Sequence, residues 1–331
     1  MYRSLAGDGI IRRLLDAAAA APSIHNTQPW RFRAAGDLIE VHGDPDRMLW
    51  VADPKGRALH LSCGAALFNL RLAIRMMGAR PLVWPLPDPA GEPTLLASVR
   101  LADGRPPTPQ ERELSEAITL RHTSRAPFSG HPIPQAVQTA LEQQAGSEFT
   151  LLRLLSTHDA AVVLDLAAAA SRKLAANYDH RTELGHWIGI TGDDGIPARA
   201  LGSHPDRQPA PVRDFSYASP AVALPAATFE QQPQLAVLST AQDNPADWLR
   251  AGQALQRVLL TATTSGVATS FLYQPIELHD IEQPQHHWWP WPEHPQIIIR
   301  LGYGPPQPGT PRREATATLD QPAQSAGHIR R

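Results

Sequence analysis

Two stretches of this chain repeat one another in register, and that repeat limits the folds open to it. Gly64-Ala65-Ala66-Leu67 stands at the same distance before Gly78 as Gly252-Gln253-Ala254-Leu255 stands before Gly266. Pro87 and Pro275 continue the register. An apolar run follows each block, Leu95 to Leu101 in the first and Ile297 to Leu301 in the second. Two similar helix-plus-strand units in one chain suggest an internal pseudo-dimer, with chance matching as the competing explanation at this level of identity. In the first block Leu67, Leu70, Ile74 and Met77 form an apolar stripe crossed by small residues, the pattern of a core helix that its neighbours approach closely.

The rest of the chain has room for one large or two medium domains in its 331 residues. Helices are expected over Ile10 to Ala20, Leu59 to Met77, Glu111 to Leu120, Pro134 to Gln144, Asp159 to Asn177 and Gly252 to Thr264. Strands are expected at Trp30 to Phe32, Leu38 to His42, Leu82 to Trp84, Leu95 to Leu101, Phe149 to Leu155 and Leu235 to Ser239, with further extended segments at Gly266 to Tyr273 and Gln296 to Leu301. The link Gly104-Arg105-Pro106-Pro107-Thr108-Pro109 separates the two halves. From Asp179 to Pro233 prolines and glycines interrupt any periodicity, which in a compact protein marks either a functional lid or a disordered insert. Trp187, Ile188, Ile196, Phe215, Tyr217 and Phe229 would anchor such a lid. Beyond about Pro305 the chain reads as a surface-wrapping tail.

Charge and cysteine content exclude several function classes. A net charge of -2 and a pI near 6.7 supply no field for nucleic acid or a membrane surface. The single cysteine, Cys63, rules out an intrachain disulfide framework and fits a reducing compartment; in its apolar helix it reads as a small core side chain. With no signal-like segment or long uncharged apolar span, a soluble cytoplasmic protein, monomeric or homodimeric, is expected.

Two motifs carry the polar chemistry. In Ala21-Pro22-Ser23-Ile24-His25-Asn26-Thr27-Gln28-Pro29-Trp30-Arg31-Phe32, two prolines stiffen a loop of hydroxyl, imidazole and amide groups. It is either a helix-to-strand turn that satisfies its own backbone or a neutral surface for a flat polar ligand such as a flavin ring. In Arg121-His122-Thr123-Ser124-Arg125, two guanidinium groups and two hydroxyls suit phosphate oxygens; the alternative is a solvated charge cluster at a helix end. Arg312-Arg313, near the chain's end, offers a second basic pair. No glycine-rich nucleotide fingerprint or G-x-S-x-G elbow is present. His286-His287, near His279, Asp280 and Glu282, lacks a zinc-site spacing and reads as surface histidines beside Trp288, Trp289 and Trp291, so no metal is expected.

Taken together, these segments resemble the nitroreductase superfamily, which has an α+β fold and binds FMN at a dimer interface. APSIHNTQPW resembles the family segment that reaches the isoalloxazine ring from the partner subunit. RHTSRAPF resembles its arginine-hydroxyl-arginine motif, and GQALQRVLLTATTSGVATSF with QPIE and RLGYG resembles the later core helix and flavin-side loop. In a standard member the phosphate motif precedes the NTQPW segment, whereas here it follows by about 100 residues. The chain therefore resembles the double-length, Acg-type branch, in which two nitroreductase-like halves fold as an intramolecular pseudo-dimer.

The resemblance implies a first half at residues 1–104 and a second at 105–331, the latter with an insert or lid at about 180–233. It implies one complete FMN site per chain, the complementary site having decayed. Arg121, Thr123 and Arg125 would hold phosphate or ribityl oxygens, with His122 near the ring edge and Arg312 or Arg313 completing the phosphate site. Ser23, His25 and Asn26 would enter from the first half, Asn26 alternatively capping the turn, while Gln28 and Trp30 would be structural supports. Ala268, Thr269 and Ser270 would lie beside the flavin. The implied activity is an NAD(P)H-dependent oxidoreductase acting on nitroaromatic, quinone or similarly flat acceptors. No protein nucleophile or acid is required, and His25 or His122 is either a proton donor or a hydrogen-bonding group only. The alternative is a non-enzymatic protein that sequesters its flavin beneath the insert.

Overall fold

A computed structural model describes residues 8–218, 222–282 and 289–320. Helix α1 (Asp8–Ala19) leads through the polar loop into a hairpin of β1 (Trp30–Ala35) and β2 (Leu38–Gly43), whose turn uses Gly36 in the left-handed region at φ +62°. The long helix α2 (Arg57–Met76) starts where Asp53 accepts hydrogen bonds from the backbone N–H groups of Ala58 and Leu59 at 3.0 and 2.9 Å. It ends before Gly78 at φ +78°, after which β3 (Ala79–Pro85) and β4 (Leu95–Asp103) complete the first half. Across the proline link, Thr108 and Glu111 close a capping box on α3 (Pro109–Leu120).

Beyond α3 the chain runs through α4 (Gln135–Gly146), β5 (Leu151–Leu154), α5 (Thr157–Ala176) and α6 (Tyr178–Gly185), then the short strands β6 (His204–Pro205) and β7 (Ala226–Ala227). It continues with β8 (Gln234–Thr240), α7 (Pro245–Thr264), β9 (Ala268–Phe271), α8 (Gln274–Glu282), β10 (His294–Gly302) and α9 (Ala315–Thr318). Helix α7 begins before the expected Gly252, because Asn244 caps it, Pro245 sits in its first turn and Asp247 supplies the N–H that bonds Asn244. The strand expected from Phe149 shortens to Leu151–Leu154. Residues before it close the end of α4, where Phe149 takes φ +57° and the Thr150 N–H bonds the Ala145 carbonyl.

The two main sheets share one plan. The first has strand order β1-β2-β4-β3 and the second β5-β8-β10-β9, antiparallel throughout. One face of the first sheet packs on α1 and α2 through Leu14, Phe32, Val41, Leu67 and Leu70. The second is covered on both faces: Leu238 and Ile299 meet α7, whereas Val237 and Ile298, one residue along each strand, meet α5 and α8.

Helices α2 and α7 cross where the repeated glycines meet. A Cβ on Gly64 would stand 2.2 Å from the Leu249 carbonyl oxygen, and one on Gly252 would stand 2.1 Å from that of Leu61. The contact is reciprocal, since Leu61 precedes Gly64 by the same interval as Leu249 precedes Gly252. The same leucines are exchanged between cores, Leu249 joining the first cluster and Leu61 the second.

Residues 180–233 have order of their own: Leu184, Ile188, Ile196, Leu201 and Phe215 form a separate apolar cluster, and β6 pairs with β7. The Glu183 carboxylate accepts from Val51 N and Ala52 N in the first half, while Glu230 pairs with Arg300 of β10 in the second. This segment therefore bonds residues on either side of the proline link. The tail returns to the first half, where Asp320 N bonds Phe32 O at 2.8 Å along the edge of β1. No described helix is long and apolar enough to cross a membrane.

Candidate functional site

The loop after α1 holds an unusual backbone. His25, Asn26 and Gln28 all have positive φ, at 48°, 57° and 50°. Non-glycine residues there cost of order 1 to 3 kcal/mol each, so surrounding bonds must fix them. Ser23 Oγ accepts from Gln28 N at 2.9 Å, and the Asn26 amide donates to Gly195 O at 2.8 Å and Pro311 O at 3.0 Å while accepting from Arg312 Nη1 at 2.9 Å. Gln28 reaches Asp193 O and accepts from Arg313 N. Asn26 and Gln28 thus rivet the loop to the insert and the tail, a role for Asn26 broader than a turn cap.

Arg121 ends α3, its backbone N–H still bonded to Ala117 O, and the following residues run beside β9, where Ser124 N donates to Thr269 O at 2.8 Å. This places the Arg121 side chain in a small cavity with Asn26, His122, Arg125, Thr310 and Arg312. Arg121 is only 3% exposed, and its Nε and Nη1 have no hydrogen-bond partner. Burial, with Arg312 and Arg125 nearby, pushes it down to about 9; burial takes Arg312 to about 10, and burial together with Arg213 takes Arg125 to about 10. All three remain charged at neutral pH, and among the described residues no carboxylate pairs with them. Buried cations of this kind call for an anion.

Pro22, Ser23, Thr123 and Arg125 also line a second, larger cleft. Leu61, Leu255, Phe271 and Ile297 form its apolar walls, with Ser62 and Ser270 as hydroxyls. His25 faces this cleft, its ring edge-on to Phe215 at 6.1 Å. Burial, reinforced by Arg213, holds the imidazole neutral at about 3. Its Nε2 lies 3.4 Å from Arg213 Nη1, and Arg213 in turn bonds the buried carboxylate of Glu277, which also takes a 2.6 Å bond from His180. Burial would raise Glu277, but Arg213 and His180 outweigh it and hold it at about 2.

Of the residues expected from the sequence, Ser23, Thr123 and Arg125 line both spaces, His25 and Ser270 the large cleft, and Asn26, Arg121, His122 and Arg312 the small cavity. His122 therefore sits at the arginine end rather than along the cleft. Ala268 and Thr269 line neither space. Arg313 points away, donating to Gln28 O at 3.2 Å and Ala317 O at 2.8 Å. Arg213 and His180 were not legible in advance; neither sits in a motif, and an Arg-Asp-Phe run in a proline-rich insert carries no spacing signal, whereas Glu277 lies in the QPIE segment, whose resemblance gave its carboxylate no role. No group of three metal-ligating side chains occurs among the described residues, and His286 and His287 lie outside them.

No protein-family model matches the chain. It is 32% identical over 324 residues to "Putative NAD(P)H nitroreductase Rv3131" of Mycobacterium tuberculosis, covering 95% of this chain and 92% of that protein. It is 32% identical over 312 residues to "Putative NAD(P)H nitroreductase acg" of the same organism, covering 92% and 93%. Among solved structures, "a putative nitroreductase" from Anabaena variabilis aligns over 90% of this chain and 88% of its own at 12% identity and a TM-score of 0.47. An FMN-bound nitroreductase from Bacteroides fragilis covers 66% and 97% at 16% identity and a TM-score of 0.34.

Proposed function

This chain belongs to the nitroreductase family, and we propose that it binds one FMN, phosphate in the arginine cavity and ring in the adjoining cleft, as an NAD(P)H-dependent oxidoreductase of the double-length Acg-type branch. The observation that carries the reading is Arg121: a buried, uncompensated guanidinium with two unbonded nitrogens, in a cavity that shares Ser23, Thr123 and Arg125 with an apolar-walled cleft. The residues suit FMN in chemistry. Arg121, Arg125 and Arg312 supply charge for a phosphate monoester, Ser23 and Thr123 supply hydroxyls at the junction for a polyol chain, and apolar walls with Ser270 flank the space for a flat ring.

FMN, when bound, supplies two-electron transfer between NAD(P)H and a nitroaromatic, quinone or similar flat acceptor. The chain's own part is to orient the cofactor, exclude water and fix charge. His25, neutral and bonded to Arg213, serves as a hydrogen-bonding wall rather than as an imidazolium acid. Matching sheet orders, the reciprocal glycine crossing and the exchanged leucines support an internal pseudo-dimer with halves at 1–104 and 105–331.

The insert's grip on both halves favours a second reading, that the flavin is held covered and does not turn over with nicotinamide. Anaerobic mixing of FMN-loaded protein with NADH or NADPH separates the two. Rapid bleaching of the visible flavin band is expected for a reductase, and an unbleached, fully loaded protein supports sequestration. A protein that stays colourless after incubation with FMN would refute both.

A further inference from the structure

The charges lining the two connected spaces do not balance once a phosphate is counted. Arg121, Arg125, Arg213 and Arg312 face one carboxylate, that of Glu277, while His25 is neutral. A phosphate monoester dianion at the Arg121 and Arg312 end leaves a positive charge at the cleft end, where the oxidised flavin ring is itself neutral. The cleft-end cations are Arg125 and Arg213, the latter from the insert and paired with Glu277, so that the three groups together carry one net positive charge. Glu277 holds one of the Arg213 Nη groups, and Nη1 leans on the unprotonated nitrogen of His25, so its orientation is set from two sides. His180, bonded to the same Glu277 carboxylate, fixes the acid in turn. Phe215, two residues on, stands edge-on to His25 and lies under the Arg125 guanidinium, giving a flat aromatic wall beside the charge.

We infer that the insert builds an anion-selecting subsite in the cleft, in which Arg213, positioned by Glu277 and His180, receives the carboxylate of a flat aromatic acceptor lying against Phe215 and His25. This rests on the flavin reading above and adds the substrate class: planar acceptors carrying a negative group, in preference to neutral ones of the same shape. An Arg–carboxylate bond of this kind supplies discrimination on the order of 10- to 100-fold.

The test uses the FMN-loaded full-length chain and follows the perturbation of the flavin spectrum on titration with 4-nitrobenzoate and, separately, with 4-nitrobenzyl alcohol. Expected is at least about tenfold tighter binding of the carboxylate. In Arg213→Gln, with flavin content checked from the same spectrum, the preference should fall to within about twofold, and Arg213→Lys should restore part of it. Equal affinities in the unmodified protein overturn the inference without any variant. So does a preference that survives Arg213→Gln, or a flavin spectrum that responds to neither compound. A chain that takes up no FMN removes the flavin reading and this one together, and the starting spectrum already reveals that case.

Discussion

Arg121 gives the sharpest test, because its replacement should have opposite effects on the free and the ligand-bound protein. A guanidinium that is 3% exposed, with two unbonded nitrogens and two arginine neighbours, opposes folding when no anion is present. Its depression from 12.5 to about 9 corresponds to a penalty on the order of a few kcal/mol at neutral pH. The folded state binds this proton less tightly than the unfolded chain does, so stability contributed by this group rises as pH climbs from about 9 towards 12.5. Arg121→Met keeps much of the volume and removes the charge. Flavin-free Arg121→Met should therefore melt higher than the flavin-free parent, by roughly 4 to 8 °C at about 2 °C per kcal/mol, and should lose the alkaline gain. Added phosphate or FMN should raise the melting temperature of the parent but scarcely move the variant, since ligand stabilises only through sites that bind it. Differential scanning fluorimetry with and without phosphate reads both effects. A variant that melts lower than its parent when ligand-free, or that keeps the phosphate-dependent rise, would refute the assignment of Arg121 as an anion-seeking buried cation.

Three further outcomes follow from contacts elsewhere. Gly64→Ala and Gly252→Ala should each lower stability by about 1 to 3 kcal/mol in urea despite better helix propensity, and the double variant should lose less than the sum, because one separation of α2 from α7 relieves both clashes. Glu277→Gln should lower stability by about 3 to 5 kcal/mol and make residues 190–215 more sensitive to limited proteolysis, since it leaves Arg213 without its counter-charge. Glu277 is depressed from 4.5 to about 2, so the stability it contributes is complete above 4.5 and is lost as pH falls towards 2; the variant should show a shallower acid transition over that window. Asn26→Ala should weaken phosphate binding several-fold, measured by the same thermal shift, because it removes the bond that ties Arg312 Nη1 to the loop at 23–28 and unpins a left-handed backbone.

How much of this was legible in sequence depended on whether the physics was local. The apolar stripe from Leu67 to Met77 and the repeated glycines at 78 and 266 are short-range signals, and helices α2 and α7 end at those glycines. Arg121, Thr123 and Arg125 announced themselves as a cluster because five consecutive residues carried the chemistry. Arg213 meets His25 across 188 positions and Glu277 across 64, and no periodicity records such a pairing. Arg313 shows the converse: adjacency to Arg312 suggested a shared task, but successive side chains in an extended tail point to opposite sides, and only Arg312 turns inward. The insert looked irregular because its order comes from a small cluster of widely spaced apolar residues and from bonds to both halves, not from a repeating pattern.

The bond between Arg312 and Asn26 spans 286 positions, nearly the whole chain. During synthesis the loop at 23–28 leaves the ribosome early, yet the residue that closes over it is added near the end. At about 5 to 20 residues per second the interval is roughly 15 to 60 s. For that time Asn26 has neither Pro311 nor Arg312 to hold it, and over the first 169 positions it lacks Gly195 as well, so the arginine cavity is without a wall. A chain that stops short of Arg312 keeps the residues of its first sheet but lacks the wall on which the proposed phosphate site depends.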